Sequence, residues 1–188
     1  MEGVHIEESV ILMLPGWQDS GPNHWQTLWL KKYPNSVKVI QKDFMFPKKS
    51  DWVQKLNEEV EKHSNNRIIL VGHSLACATI AHWSSTAGSK TTAKIKGALL
   101  VSPFDNNNMP IFPKELVDFF PMPLEQLKFK TIVVTSNNDP WVSLDRATDF
   151  AKCWGSQLVN IGPCGHINTE AGFGEWPEGE KLLGQLLL

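Results

Sequence analysis

Short, uninterrupted apolar runs alternating with segments of helical period constrain this chain more than any other feature. Ser9–Leu14 (SVILML), 67–71 (RIILV), 98–101 (ALLV) and 131–135 (TIVVT) lack the polar alternation of a half-exposed strand. They read as strands buried on both faces, the pattern of a parallel sheet covered by helices. Residues 37–41 (VKVIQ) and 157–161 (QLVNI) are weaker strand candidates. Between the runs lie helical stretches. Trp25, Leu28 and Trp29 share one face of 23–32. Trp52, Val53, Leu56 and Val60 share one face of 50–63, with Glu58, Glu59, Glu61 and Lys62 turned to water. Leu75–Thr86 and Leu144–Trp154 are further helices, and 175–188 closes the chain with Pro177 in its first turn. Residues 105–123 are rich in Pro and Asn and predict an excursion with little regular structure. The expected fold is α/β, doubly wound, with a mostly parallel sheet and helices on both faces: a Rossmann-like three-layer sandwich, in one domain over residues 1–188. In such a fold, functional residues sit just past the C-terminal ends of the strands.

Charge and composition exclude several alternatives. The formal net charge is -2, without the clustered Lys and Arg that phosphate binding needs, so nucleic acid is not an expected partner. The first residues are acidic where a signal peptide would be basic, and the first apolar run is too short to span a bilayer. A cytoplasmic location and no membrane partner are expected. Cys77, Cys153 and Cys164 are odd in number and form no C-x-x-C pair, so they read as small buried hydrophobes. No ligand cluster or phosphate loop implies a metal or a cofactor.

Gly72-His73-Ser74-Leu75-Ala76 follows a strand and opens a helix. A chain reversing from strand to helix in so few residues strains its central residue and pushes that side chain out over the sheet edge. The residues two away must be small, because helix and strand nearly touch. Gly72 meets that need; Ala76 stands where a second Gly is expected and adds one methyl. Ser74 is therefore the candidate nucleophile, and His73 reads as a structural neighbour. A Ser hydroxyl needs a base, and in this fold the partners follow in the order Ser, acid, His. Asp139 directly follows the run TIVVT, and His166 follows the last strand in GPCGH. Asp105, one strand earlier, is the reserve acid. An oxyanion needs backbone donors. The N–H of Leu75 is one candidate, and the N–H of Trp17, in the loop PGWQDSG after the first strand, is the other.

At this point the chain resembles a known family, the small cap-less serine hydrolases related to retinoblastoma-binding protein nine, in its bacterial form. The resemblance rests on PGWQDSGPNHWQ, GHSLACATIAHW, SNNDPWVS and CGHIN, in that order, and extends from about Pro15 to Asn168. It implies a minimal α/β-hydrolase with Ser74, Asp139 and His166 as its triad, acting on short acyl esters or on amides. The retinoblastoma-binding motif L-x-C-x-E is not reproduced: Leu75-Ala76-Cys77-Ala78-Thr79 lacks the Glu.

The eight Trp are mostly expected in the core. Trp17 and Trp141 follow Gly16 and Asp139-Pro140 and are the ones expected to face a ligand, with His24 at the same mouth. Aromatic walls with few charges suit a small-molecule acyl substrate. Hydrolysis of small carboxylic esters through an acyl-enzyme is the expected function. An amidase or peptidase with the same triad, or a binding protein on a hydrolase scaffold with weak catalysis, are the alternatives.

Overall fold

The computed structural model describes residues 9–63, 67–105 and 112–187. The acidic N-terminal residues 1–8, residues 106–111 of the Pro- and Asn-rich excursion, and Leu188 at the end of the closing helix lie outside the described residues.

Six strands form one parallel sheet: β1 (Ser9–Leu14), β2 (Ser36–Lys38), β3 (Arg67–His73), β4 (Ile95–Val101), β5 (Lys130–Thr135) and β6 (Gln157–Asn160). Their spatial order is β2-β1-β3-β4-β5-β6. The chain winds outward from β1 to β2, crosses back to β3, and then winds outward the other way. The reversal leaves a crevice beyond the C-terminal ends of β1 and β3, where such sheets bind ligands.

Alternation along the strands sorts the core into two layers. Leu12, Leu14, Ile68 and Leu70 face α2 (Lys49–Lys62), α3 (Leu75–Thr86) and α5 (Leu144–Trp154), through Trp52, Leu56, Ile80, Phe150 and Trp154. Ile11, Met13, Ile69 and Val71 face α1 (Trp25–Lys32) and α6 (Pro177–Leu187), through Trp25, Trp29, Leu183 and Leu186. This is the three-layer, doubly wound arrangement that the apolar runs predict. A short helical turn, α4 (Ser89–Thr92), has no counterpart in the sequence pattern.

Local chemistry sets the helix ends. Ser143 caps α5 by accepting from the Arg146 N–H, and α5 stops at Gly155, whose φ of 67° suits a residue without Cβ. Pro177 opens α6. β2 is shorter than predicted: beyond Lys38 only the Val39 N–H still reaches back, to Met13 O. Glu59 is buried rather than facing water, because Lys55 one turn earlier folds over it at 2.9 Å. The cysteines also depart from expectation. Cys77 is buried, but Cys164 is partly exposed and Cys153 exposed.

Candidate active site

The crevice is built from the ends of β1, β3, β5 and β6. At the end of β3 the chain reverses at Ser74, which adopts φ 57° and ψ -121°. A non-Gly residue held there costs on the order of 1–3 kcal/mol, which the surrounding structure must offset. The Ser74 N–H donates to Val101 O at 2.9 Å, and Ser74 O accepts from the Cys77 N–H at 3.0 Å as α3 begins. A Cβ on Gly72 would lie 2.8 Å from Ile80 Cδ1 and 3.4 Å from the Ala76 backbone, so a side chain there would have to push the end of Ile80 aside. The methyl of Ala76 is accommodated: it sits 3.5 Å from that same point, at ordinary contact distance.

Ser74 Oγ lies 2.8 Å from His166 Nε2. His166 Nδ1 lies 2.9 and 3.0 Å from the two carboxylate oxygens of Asp139. A carboxylate only accepts, so Nδ1 carries the proton and Nε2 presents a lone pair to the serine hydroxyl. All three side chains are buried. Asp139 also accepts the Trp141 N–H at 2.9 Å. The Asp105 carboxylate takes no part in this chain of bonds. It is fully buried and bound by Arg146, with Nε at 2.9 Å and Nη2 at 3.4 Å.

The loops bearing Asp139 and His166 are laced together by residues that the sequence reading passed over. The Cys164 N–H donates to Ser136 Oγ at 2.9 Å, and the Gly165 N–H donates to Asn138 Oδ1 at 2.8 Å. The polar triplet Ser136-Asn137-Asn138 at a buried strand end was the available signal. His73 donates from Nε2 to His166 O at 2.9 Å, and Trp25 Nε1 donates to Ile167 O at 2.9 Å. His166 is therefore fixed through its backbone as well as its ring.

The loop after β1 packs onto the elbow. A Cβ on Gly16 would lie 2.9 Å from His73 O and 3.0 Å from Ser74 Cβ, so only glycine allows this approach. The same point lies 3.5 Å from the Leu75 nitrogen at the start of α3. Neither the Trp17 N–H nor the Leu75 N–H has an intramolecular acceptor among the described residues. At a helix N-terminus such N–H groups favour negative charge.

A cavity of about 620 Å3 opens over Ser74. Trp17, Phe104 and Trp141 form an aromatic wall, with Trp141 centred 5.2 Å from Phe104 and 5.9 Å from His166. Asn168, Thr169 and Glu170 line its other side and were not foreseen. Trp25, Trp29, Trp83 and Trp154 are core, whereas Trp17 and Trp141 border the cavity, as does His24. Burial, with His166 nearby, pushes the His24 pKa down to about 4 against a weaker opposing pull from Asp19. Burial likewise holds His73 well below the usual imidazole range.

Among the described residues, no group of three or more His, Cys, Asp and Glu is arranged to hold a metal ion. No described helix is long and apolar enough to cross a membrane.

A six-stranded parallel sheet with a strained serine between β3 and α3 defines an α/β hydrolase. The serine hydrolase family model matches residues 11–185, and the chain belongs to that family. A YdeN-like hydrolase of Pectobacterium atrosepticum is 29% identical with a TM-score of 0.84, over 96% of this chain and 91% of that one. The ydeN gene product of Bacillus subtilis is 23% identical with a TM-score of 0.74, over 95% and 98%. The Pyrococcus furiosus esterase Pf2001 shares the fold at 16% identity and a TM-score of 0.69, over 96% and 82%. None of the curated proteins compared with the chain matches it.

Proposed function

We propose that this hydrolase cleaves small carboxylic esters through an acyl-enzyme on Ser74. The observation that carries the proposal is the continuous bonding of Ser74 Oγ to His166 Nε2 and of His166 Nδ1 to Asp139, at the wall of an open cavity. His166 takes the Ser74 proton as Oγ attacks the ester carbonyl. Asp139 holds the ring in its productive tautomer and stabilises the imidazolium. The oxyanion is met by the N–H groups of Leu75 and Trp17. His166 returns its proton to the leaving alcohol, and the Ser74 acyl ester remains. A water, deprotonated by His166, then releases the acid and restores the serine. No further reactant is needed.

The aromatic wall supports an uncharged acyl group, because burying Trp and Phe surface against alkyl or aryl carbon is favourable, whereas a carboxylate there would lose its hydration unpaired. The test is a fluorophosphonate probe with mass-spectrometric location of the label, run beside hydrolysis of p-nitrophenyl butyrate. Labelling at Ser74 with esterase turnover is expected. Ester turnover without labelling at Ser74, or labelling with amide hydrolysis only, would overturn the proposal in its first or second part. Neither labelling nor turnover would favour a binding protein on this scaffold.

A further inference from the structure

Two histidines beside His166 are held in fixed, complementary states that the hydrolytic steps leave unused. His24 Nδ1 accepts the Gln26 N–H at 3.2 Å at the start of α1, so its proton sits on Nε2. His73 Nε2 lies 2.9 Å from the carbonyl oxygen of His166, an acceptor only, so its proton sits on Nε2 and its Nδ1 keeps a lone pair. The His24 Nε2–H donor and the His73 Nδ1 acceptor have no intramolecular partner among the described residues. The two rings are 95% and 94% removed from solvent, from exposures of 5% and 6%. Their centroids are 4.9 Å apart, and His73 is 4.9 Å from His166. Both rings border the cavity over Ser74.

A donor beside an acceptor at the wall of one cavity is matched by a single group that satisfies both. A hydroxyl does so, accepting through its oxygen and donating its proton. A carboxylate would satisfy His24 and repel His73; an ammonium would do the reverse. The pair also lies on the His166 side, where the leaving alcohol receives its proton. We infer that His24 and His73 hold a free hydroxyl of the leaving alcohol, so that the preferred substrates are esters of di- or polyhydric alcohols. This rests on the reading of the cavity as an ester site.

The test compares 2,3-dihydroxypropyl butyrate with propyl butyrate, which differ only in the two hydroxyls. It is made in the wild type and in two variants. His24→Gln can place an amide N–H near the position of Nε2 but not the helix-capping acceptor. His24→Asn keeps an acceptor near Nδ1, able to cap the Gln26 N–H, but loses the far donor. The readout is the ratio of the two kcat/KM values, in which any general loss of activity cancels. The wild type is expected to prefer the dihydroxypropyl ester by about tenfold, what one net hydrogen bond supplies. His24→Gln should keep most of that preference, and His24→Asn should bring the ratio to about one. A purely helix-capping His24 leaves the ratio at its wild-type value in both variants, since the general loss cancels, and overturns the inference. So does a wild type that hydrolyses both esters equally, a result that leaves the ester reading standing. A wild type that hydrolyses neither overturns both.

Discussion

His166 Nε2 sits 2.8 Å from Ser74 Oγ although 92 residues separate the two in the chain. That distance depends on two independent supports. The elbow fixes Ser74 by its own backbone strain and the Gly72 contact, while the loops after β5 and β6 position Asp139 and His166. Removing the hydroxyl by Ser74→Ala touches neither support. The variant should keep the wild-type circular dichroism spectrum and melting behaviour while ester turnover falls on the order of a million-fold, as for other nucleophile deletions in such triads. Turnover near the wild-type rate would assign the chemistry to another group.

The two carboxylates that follow adjacent strands should separate cleanly. Asp139→Asn keeps the shape of the side chain but cannot hold Nδ1–H of His166 as a carboxylate does, and kcat should fall by about ten-thousand-fold. Asp105→Asn leaves His166 alone and weakens the grip on Arg146 instead. It should cost stability, on the order of 1–2 kcal/mol because Arg146 keeps partial access to water, with little change in kcat for the folded protein. Urea denaturation beside steady-state kinetics distinguishes the two, and an inactive but stable Asp105→Asn would invert the assignment.

Gly16 offers a probe of the oxyanion site that leaves Ser74, His166 and Asp139 intact. A methyl there must displace the β1 loop, since backbone at 2.9 Å cannot yield. Gly16→Ala should therefore move the Trp17 N–H off the proposed oxyanion position. The loss of one such donor costs about a hundredfold or more in kcat, with KM changed far less. Unchanged kcat would mean that Trp17 is no donor to the transition state.

The doubly wound parallel class and the strand-end positions of Ser74, Asp139 and His166 were legible because they rest on continuous apolar runs and on turn residues, both written locally. Glu59 was misread because helical period assigns faces without knowing that Lys55 folds over the carboxylate. Cys153 was misread because burial was inferred from residue type alone. The lacing of the Asp139 and His166 loops through Ser136 and Asn138 lay hidden for a different reason. It depends on which loops meet in space, and no sequence period encodes that. His73 was read only as a structural neighbour of the serine; its place at the cavity wall and its bond to the His166 carbonyl, 93 residues away, left no local mark.

The last prediction concerns acid. His24 is held neutral in the folded protein, its pKa pushed down to about 4 by burial and by the neighbouring His166, whereas in the unfolded chain it returns to the ordinary imidazole value of 6.5. Above the unfolded value neither state carries the proton and His24 has no effect on stability. Between the two values the unfolded chain binds a proton that the folded protein refuses, so unfolding is favoured increasingly as pH falls. Below about 4 both states are protonated and the slope vanishes. His73 acts in the same direction, since burial holds it well below the usual imidazole range. From pH 7 to pH 5 His24 alone should therefore remove about 2 kcal/mol of stability. His24→Asn lacks the titrating ring but can still cap the Gln26 N–H. Its unfolding free energy, measured in urea at both pH values, should fall by about 2 kcal/mol less than that of the wild type across the same interval. Parallel losses would mean that His24 takes up its proton as readily in the folded protein as in the unfolded chain, and that its ring is not the neutral donor bordering the Ser74 cavity.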